Sequence, residues 1–210
     1  MTSPPVDAAL IAEAVRFHPW DAMSPAALAA IAELGPFDAS AETGCGGSTI
    51  VLSHCARRHT AFAIEGENAT ISTLRRQRAL AVERVTFVEG ETRNTVPGHD
   101  FRAPLDFVLL DGPHAYPLPQ IEYAYLAPNL RIGGWLAVDD IQIPSVHELF
   151  RFLAEEPSWE LDRVSVRTAF FRRKSNRSGG PDDWAAQGMN RRPVLRYAWR
   201  DWARKWLRRQ

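Results

Sequence analysis

The sequence predicts an α/β protein with a doubly wound, mostly parallel seven-stranded sheet that ends in an antiparallel strand. Short apolar runs alternate with longer stretches of helical character, which is typical of parallel strands covered by helices on both faces. The last two strand-like runs follow each other with almost no connection, which indicates an antiparallel pair at one edge of the sheet. The predicted strands are 37–42, 60–65, 85–89, 105–111, 134–140, 159–166 and 168–174, and the helices between them are 48–57, 67–82, 118–130 and 145–155.

The chain divides into four predicted parts. Residues 1–36 form an N-terminal helical cap, in which Ser24 is the expected N-cap of a second helix that starts with a proline. Residues 37–174 form the α/β domain. Residues 175–193 have the Gly, Ser, Asn, Asp and Pro content of a linker, and residues 194–210 form a basic amphipathic C-terminal helix.

Composition excludes several classes of protein. The 210 residues are 45% apolar and 24% charged, which excludes a collagen-like, coiled-coil or wholly disordered chain. No window approaches roughly 18 uncharged apolar residues, and the first residues lack the basic and apolar regions of a secretory signal. Cys45 and Cys55 are too few for a disulfide framework or a four-cysteine zinc site. We therefore expect a cytoplasmic protein.

Charge is unevenly distributed although the formal net charge is zero. Residues 191–210 include eight basic residues and one acid, so this tail carries +7 and the rest of the chain −7. Leu195, Trp199, Trp202 and Trp206 recur at the spacing of one helix face. Such a face can dock on the protein body or on a second copy in a homodimer. An anionic membrane surface is another candidate partner, and nucleic acid is the least favoured one.

Five acidic residues stand at the ends of predicted strands. They are Glu42, Glu65, Asp111, Asp139 and Asp140. Ligands of open α/β sheets bind beyond the carboxyl ends of the strands. The sequence therefore predicts a ligand site at this edge, surrounded by carboxylates.

A glycine-rich turn, Glu42 to Thr49 (ETGCGGST), leads from the first strand into a helix. Its glycines permit a tight turn and close approach of a ligand, and the helix N-terminus offers N–H groups. A dinucleotide fingerprint needs Gly or Ala where Thr49 stands, which disfavours a nucleotide-binding oxidoreductase. Glu65 follows Gly44 by 21 residues, where an acid can accept hydrogen bonds from both ribose hydroxyls of an adenosine.

These motifs, in this order, resemble the class I S-adenosylmethionine-dependent methyltransferases and, within them, the bacterial type 24 subgroup. The resemblance covers roughly residues 37–174. It rests on the acid-x-Gly-x-Gly pattern from Glu42 to Gly46, the ribose-binding acid Glu65, the turn Gly90-Glu91, the run Asp111-Gly112-Pro113-His114-Ala115-Tyr116, and the turn Leu130-Arg131-Ile132-Gly133-Gly134 before the fifth strand. It implies that S-adenosylmethionine is bound by Glu42, Thr43, Gly44, Gly46, Ser48, Glu65, Gly90, Glu91, Asp111 and His114.

Three of the strand-end acids also suggest a metal site. Asp111 ends the fourth strand and Asp139-Asp140 end the fifth, and these strands are neighbours in the methyltransferase order. Carboxylate oxygens suit Mg²⁺ or another hard divalent cation. The set resembles the divalent site of catechol-type O-methyltransferases, although that family's pair is usually Asp-Asn. The alternative is that Asp139 and Asp140 only cap the following loop.

The expected activity is methyl transfer from S-adenosylmethionine to an oxygen of a small molecule or sugar. His114 could take the proton from the acceptor, with Asp111 beside it as the second catalytic residue. His114 could instead stack on the adenine or serve only the loop. A catalytically idle methyltransferase-like binding protein remains the main alternative, ahead of the oxidoreductase. The five other histidines are expected to be surface or packing residues.

Overall fold

The computed structural model describes residues 6–17, 22–66, 70–176 and 187–190. Helices and strands alternate along these residues, as the sequence predicts. The helices are α1 (Ala8–Phe17), α2 (Pro25–Leu34), α3 (Gly47–Cys55), α4 (Thr70–Arg75), α5 (Thr92–Thr95), α6 (Leu118–Leu126) and α7 (Pro144–Glu155). The strands are β1 (Phe37–Thr43), β2 (Ala56–Ala63), β3 (Val85–Glu89), β4 (Leu105–Leu110), β5 (Leu130–Val138), β6 (Trp159–Ser165) and β7 (Thr168–Arg173).

The strands form one sheet in the order β3-β2-β1-β4-β5-β7-β6. Strands β1 to β5 pair in parallel, and β7 lies antiparallel between β5 and β6. The predicted doubly wound sheet with its antiparallel strand is confirmed. The strand order reverses between β1 and β4, so their carboxyl ends open a crevice where a ligand can bind.

Two predicted strand boundaries were wrong because charged or glycine residues obscured the strands. β2 begins at Ala56, four residues earlier than expected, and Arg57 and Arg58 are exposed at its start. β5 begins at Leu130, so the glycine pair expected in the preceding turn lies within the strand. Gly133 has φ of +78°, a backbone conformation that favours glycine inside an otherwise extended segment.

Two hydrophobic clusters cover the two faces of the sheet. Alternate residues of β4 divide between them: Phe107 and Leu109 face one cluster, and Val108 and Leu110 face the other. The first cluster contains residues of α1, α2 and α3, and the second contains residues of α6 and α7. This two-sided burial explains why the central strands are continuous apolar runs.

The N-terminal helices pack into the first of these clusters. Ala14 of α1 and Leu28 of α2 are buried. A side-chain carbon on Gly47 would collide with the carbonyl group of Ala14, so α1 lies directly on the start of α3. Ser24 accepts a hydrogen bond from the N–H of Ala27 at 3.1 Å, which is the predicted N-cap of α2.

Candidate functional site

The glycine-rich turn after β1 touches the segment after β4 through its backbone. Gly44 has φ of +80°, which L side chains rarely adopt. A side-chain carbon at Gly44 would also collide with the carbonyl oxygen of Asp111. The Gly44 N–H donates to the carbonyl oxygen of Phe62 at the end of β2, at 2.9 Å. The turn therefore requires glycine both for its conformation and for the space beside Asp111.

Glu42 is fully buried and its carboxylate organises the start of α3. It accepts hydrogen bonds from the hydroxyl groups of Ser48, at 2.7 Å, and Thr49. The Thr49 hydroxyl oxygen in turn accepts the N–H of Gly46 at 2.9 Å. Glu42 and Ser48, two of the predicted cofactor-binding residues, thus hold the turn together, and a direct contact with the cofactor stays a prediction for them.

A histidine that sequence reasoning did not select completes this network. His59 of β2 is 1% exposed, with Nε2 3.0 Å from Glu42 Oε1 and Nδ1 2.8 Å from the hydroxyl oxygen of Ser40. Because a carboxylate only accepts hydrogen bonds, Nε2 is the donor and Nδ1 accepts from Ser40. The signal lies in the register: His59 pairs with Ser40, two residues before Glu42, and that pairing is invisible before the sheet forms.

A cavity of about 370 Å³ opens beside the glycine turn. Gly44, Glu91 and Asp111 of the predicted set line it, together with apolar side chains such as Ile64 and Leu118. An apolar pocket with a few polar groups at a strand-order reversal is typical of a nucleoside-sized ligand. Glu91 directly follows Gly90, whose φ of +137° turns the chain after β3 toward this cavity.

Glu65 lies two residues past the end of β2 at Ala63 and five residues before the start of α4 at Thr70. Its carboxylate accepts the backbone N–H groups of Ile71, at 2.7 Å, and Ser72, at 3.0 Å. The hydroxyl of Ser72 and these two N–H groups lower the pKa of Glu65 and so favour the anion. The predicted ribose contact of Glu65 stays a prediction, since both of its oxygens have partners on α4.

A second cavity, of about 530 Å³, shares Gly44, Cys45 and Asp111 with the first. It is more polar than the first. Its other lining residues include His114, Asp140, Gln142 and Arg167, with Ala22 and Met23 from the segment before α2. Two adjoining cavities that share one wall are what a two-substrate reaction requires.

The three strand-end aspartates separate into different environments. Asp139 is 2% exposed, and its carboxylate accepts the hydroxyl of Thr168 on β7. Asp140 has φ of +56°, and its Oδ2 lies 3.2 Å from His114 Nε2. One side-chain atom each from Asp111, His114 and Asp140 lies within 4.8 Å of the others, a group that could hold a metal ion. The group thus contains His114 in addition to the predicted Asp111 and Asp140, whereas the predicted Asp139 is not part of it.

The carboxylates strongly affect one another's protonation. Burial, followed by the charges of Asp139, Glu42 and Asp140, raises the pKa of Asp111 well above its usual range. Burial also raises the pKa of Asp139, against the opposing hydrogen bond from Thr168. These shifts mark a site that is short of positive charge, which is typical of functional clefts.

The thiol of Cys45 in the glycine turn is held in its neutral form. Burial, together with the carboxylates of Glu42 and Glu65, raises the pKa of Cys45 to about 12. The negative surroundings outweigh the adjacent helix N-terminus, which on its own would lower the pKa. Cys45 is therefore a small lining residue of both cavities and not a nucleophile.

A buried acid of α6 supports the site from below and was not among the predicted residues. Glu122 is 1% exposed, and its Oε2 accepts the hydroxyl of Thr43 at 2.8 Å. The Thr43 oxygen in turn accepts the N–H of Asp111 at 3.2 Å. Burial raises the pKa of Glu122 to about 7. Thr43, a predicted cofactor residue, therefore connects β1 to β4 through its hydroxyl.

The comparisons with known proteins agree with this geometry. A family model described as a methyltransferase domain, of type 24, matches residues 41–141. The cofactor-bound structure of Rv0187 from MTB superposes with a TM-score of 0.65 at 18% identity, covering 81% of this chain and 92% of that one. No curated protein matches the sequence significantly.

Two further solved structures share the fold. The O-methyltransferase TomG from Streptomyces achromogenes, in complex with SAM, has a TM-score of 0.61 at 18% identity and covers 81% of this chain and 91% of its own. The O-methyltransferase from Bacillus cereus, in complex with SAH, has a TM-score of 0.61 at 15% identity and covers 81% and 92%. At these identities the structures establish the fold alone.

The fold, the glycine turn and the acids around it define a class I methyltransferase architecture. A methyltransferase-domain family model of type 24 matches residues 41–141, which include the glycine turn and the Asp111–His114 segment, and the chain has the fold of the methyltransferases that it resembles. Among the described residues, no helix is long and apolar enough to cross a membrane. The predicted C-terminal helix, 194–210, and most of the predicted linker lie outside the described residues.

Proposed function

We propose that this protein transfers the methyl group of S-adenosylmethionine to a hydroxyl oxygen of a small molecule or sugar. The observation that carries the proposal is the pair of cavities that meet at Gly44, Cys45 and Asp111. The first has the size and lining of a nucleoside pocket, and the second is polar and adjoins it. A cofactor in the first would direct its methyl group toward an acceptor in the second.

His114 is proposed as the base that removes the acceptor proton. Its Nε2 lies beside Asp140 Oδ2, and a carboxylate at 3.2 Å stabilises the imidazolium that forms when the proton arrives. Asp111 is proposed to position the reacting groups, because its backbone touches the glycine turn and it lines both cavities. The sulfonium methyl is already activated, so alignment and deprotonation are what remains for the protein to supply.

A divalent cation such as Mg²⁺ is proposed as an auxiliary. Asp111, Asp140 and His114 fit it as a donor set, because two hard carboxylates and one imidazole converge there. Such an ion would act as a Lewis acid that lowers the pKa of an acceptor hydroxyl. With the ion bound, His114 would be a ligand, and this acidification would replace its role as the base. Asp139, the third predicted ligand, is proposed to fix the turn that presents Asp140, since its own carboxylate is bound by Thr168.

The wider setting of the enzyme is also part of the proposal. We expect the enzyme to act in the cytoplasm. We also expect its acceptor to be a small molecule, since the second cavity measures about 530 Å³. A homodimer formed through the basic C-terminal helix is the favoured role of that segment, ahead of an anionic membrane surface and nucleic acid.

Calorimetric titration of the purified chain with S-adenosylhomocysteine, with and without Mg²⁺, tests the proposal first. Gly44→Ala is expected to abolish binding, because the added methyl group meets the Asp111 carbonyl. Gly98→Ala is the matched control, since nothing lies within 4 Å of the added carbon. Binding by the parent chain and the control, followed by methyl transfer to a panel of hydroxylated acceptors, supports the proposal.

The opposite outcomes separate the alternatives. Cofactor binding without transfer to any acceptor would favour an idle binding protein. Absence of binding by the parent chain, or binding of NADH in its place, would overturn the proposal. An affinity for S-adenosylhomocysteine that is the same with and without Mg²⁺ would leave the proposed methyl transfer standing and count against the auxiliary cation.

A further inference from the structure

Arg167, in the turn between β6 and β7, reaches the three aspartates Asp111, Asp139 and Asp140, which we call the acid cluster. This turn is tight, and Val166 within it has φ of +59°. The carbonyl oxygen of Arg167 accepts the N–H of Ile141, just after β5, at 3.1 Å. The backbone therefore fixes the point from which the Arg167 side chain reaches the second cavity, which it lines.

The guanidinium group of Arg167 contacts both members of the acidic pair. Its Nε lies 2.9 Å from Asp140 Oδ1 and 3.9 Å from Asp139 Oδ2. Its Nη2 donates to the carbonyl oxygen of Ala22 at 3.1 Å. One side chain thus joins the β6–β7 turn, the acids after β5 and the segment before α2.

Asp140 has both carboxylate oxygens engaged in this arrangement. Oδ1 faces Arg167 and also accepts the side-chain N–H of Gln142 at 2.8 Å, while Oδ2 faces His114. A divalent cation needs one of these oxygens as a ligand. An arriving ion must therefore share Asp140 with a cation that is already attached to the protein.

Charge leads to the same conclusion. Asp139 and Asp140 are both buried, and the guanidinium group of Arg167 contacts both carboxylates and compensates part of their negative charge. A divalent ion at the same place would supply the same compensation. Two cations a few ångströms apart repel each other, so the presence of one weakens the binding of the other.

We propose that Arg167 is a tethered cation that competes with divalent ions for Asp140 and thereby sets the metal affinity of the site. This proposal adds a determinant of metal affinity to the proposed function. It depends on the proposed function only for the role that the bound cation would play in the reaction. Arg167 is a positioning residue in this account, since it acts through Asp140. A purely structural arginine, joining Ala22 to the turn, would lower stability when removed without changing the affinity for metal.

The test is calorimetric titration of the full chain with Mn²⁺ alone, comparing the wild type with Arg167→Gln. Arg163→Gln is the matched control, because Arg163 lies on exposed β6 and pairs with Glu33 and Asp162 outside the cluster. Arg167→Met is a second neutral variant in case the first does not fold, and Arg167→Lys keeps the charge. Circular dichroism and thermal unfolding identify the folded variants.

A neutral variant is expected to bind Mn²⁺ at least about tenfold more tightly than the wild type, and Arg163→Gln is expected to leave the affinity unchanged. Arg167→Lys is expected to lie between the wild type and the neutral variant, because it keeps the charge but its shorter side chain withdraws from Asp140. Equal or weaker binding by the folded neutral variant, or no binding by any form, overturns the proposal. If neither neutral variant folds, Arg167→Lys decides: its shorter side chain retreats from Asp140, so an unchanged Mn²⁺ affinity counts against competition. S-adenosylhomocysteine binding on the same samples shows separately whether the methyltransferase proposal stands.

Discussion

Replacing Glu122 by Gln tests whether the site contains a carboxylate that is costly to ionise. Glu122 is buried beneath the glycine turn, and the hydroxyl groups of Thr43 and Thr92 face its carboxylate. Burial raises the pKa of Glu122 from an ordinary value of 4.5 to about 7. Gln keeps the shape and can still accept from Thr43, so the change mainly removes the charge.

The sign of the effect follows from proton uptake. Because the native pKa is raised, native Glu122 holds its proton between pH 4.5 and about 7 while the unfolded chain has lost it. The free energy of unfolding therefore falls as the pH rises through this window and is lowest above it. At about 1.36 kcal/mol per pKa unit, the ionised form destabilises the native state by about 3 kcal/mol at pH 8. This is an upper value, since relaxation and entering water reduce the cost.

Urea unfolding followed by circular dichroism at pH 5 and pH 8 measures the effect. Glu122→Gln is expected to match the wild type at pH 5 and to exceed its stability by about 1–3 kcal/mol at pH 8. Glu148→Gln, on the exposed side of α7 and 61% exposed at its side chain, is the control and should show no pH-dependent difference. If the difference between Glu122→Gln and the wild type is the same at both pH values, the reasoning about Glu122 is refuted.

Three further predictions concern residues around the two cavities. Asp140→Asn should lower the rate of methyl transfer at least about tenfold, because the carboxylate beside His114 is lost. The free energy of unfolding should stay within about 1 kcal/mol of the wild type, because Asn tolerates the positive φ of 56°. Full activity in a transfer assay would count against a catalytic role of Asp140. Cys45 should react with iodoacetamide at pH 8 far more slowly in the native protein than in urea, given its pKa of about 12, and equal rates by mass spectrometry would contradict its burial. His59→Leu should lower the free energy of unfolding by about 1–3 kcal/mol because it leaves Glu42 short of a donor. Exposed His147→Leu should change it little, and equal midpoints in urea for His59→Leu and the wild type would show that the Ser40–His59–Glu42 network is unimportant for stability.

The positions of Glu42, Gly44 and Asp111 at one edge of the sheet were predictable because each depends only on the local sequence around a strand end. A strand followed by a glycine turn and a helix start must place them at a carboxyl edge, whatever the rest of the chain does. The same logic located Asp140 and His114. Periodicity located the sheet as well, because buried parallel strands are apolar on both faces.

His59, Glu122 and Arg167 could not be found in this way. His59 meets Glu42 only through the parallel register of β1 and β2, and Glu122 reaches Thr43 only when α6 packs on the sheet. Arg167 arrives from a hairpin that inserts β7 between β5 and β6. Each of these contacts joins residues distant in sequence, and no local pattern encodes such a distance.

The sequence by itself determined the class of fold, the glycine-rich turn and the carboxylates that surround it, because hydrophobic periodicity and glycine conformation act over a few residues. Tertiary structure alone decided what each carboxylate does. The carboxylate of Glu42 accepts hydrogen bonds at the start of α3, that of Glu65 accepts N–H groups of α4, and that of Asp139 accepts the hydroxyl of Thr168. Asp111 and Asp140 line the second cavity. The physical reason is that a buried carboxylate needs hydrogen-bond donors, and only tertiary packing decides which donors lie within reach.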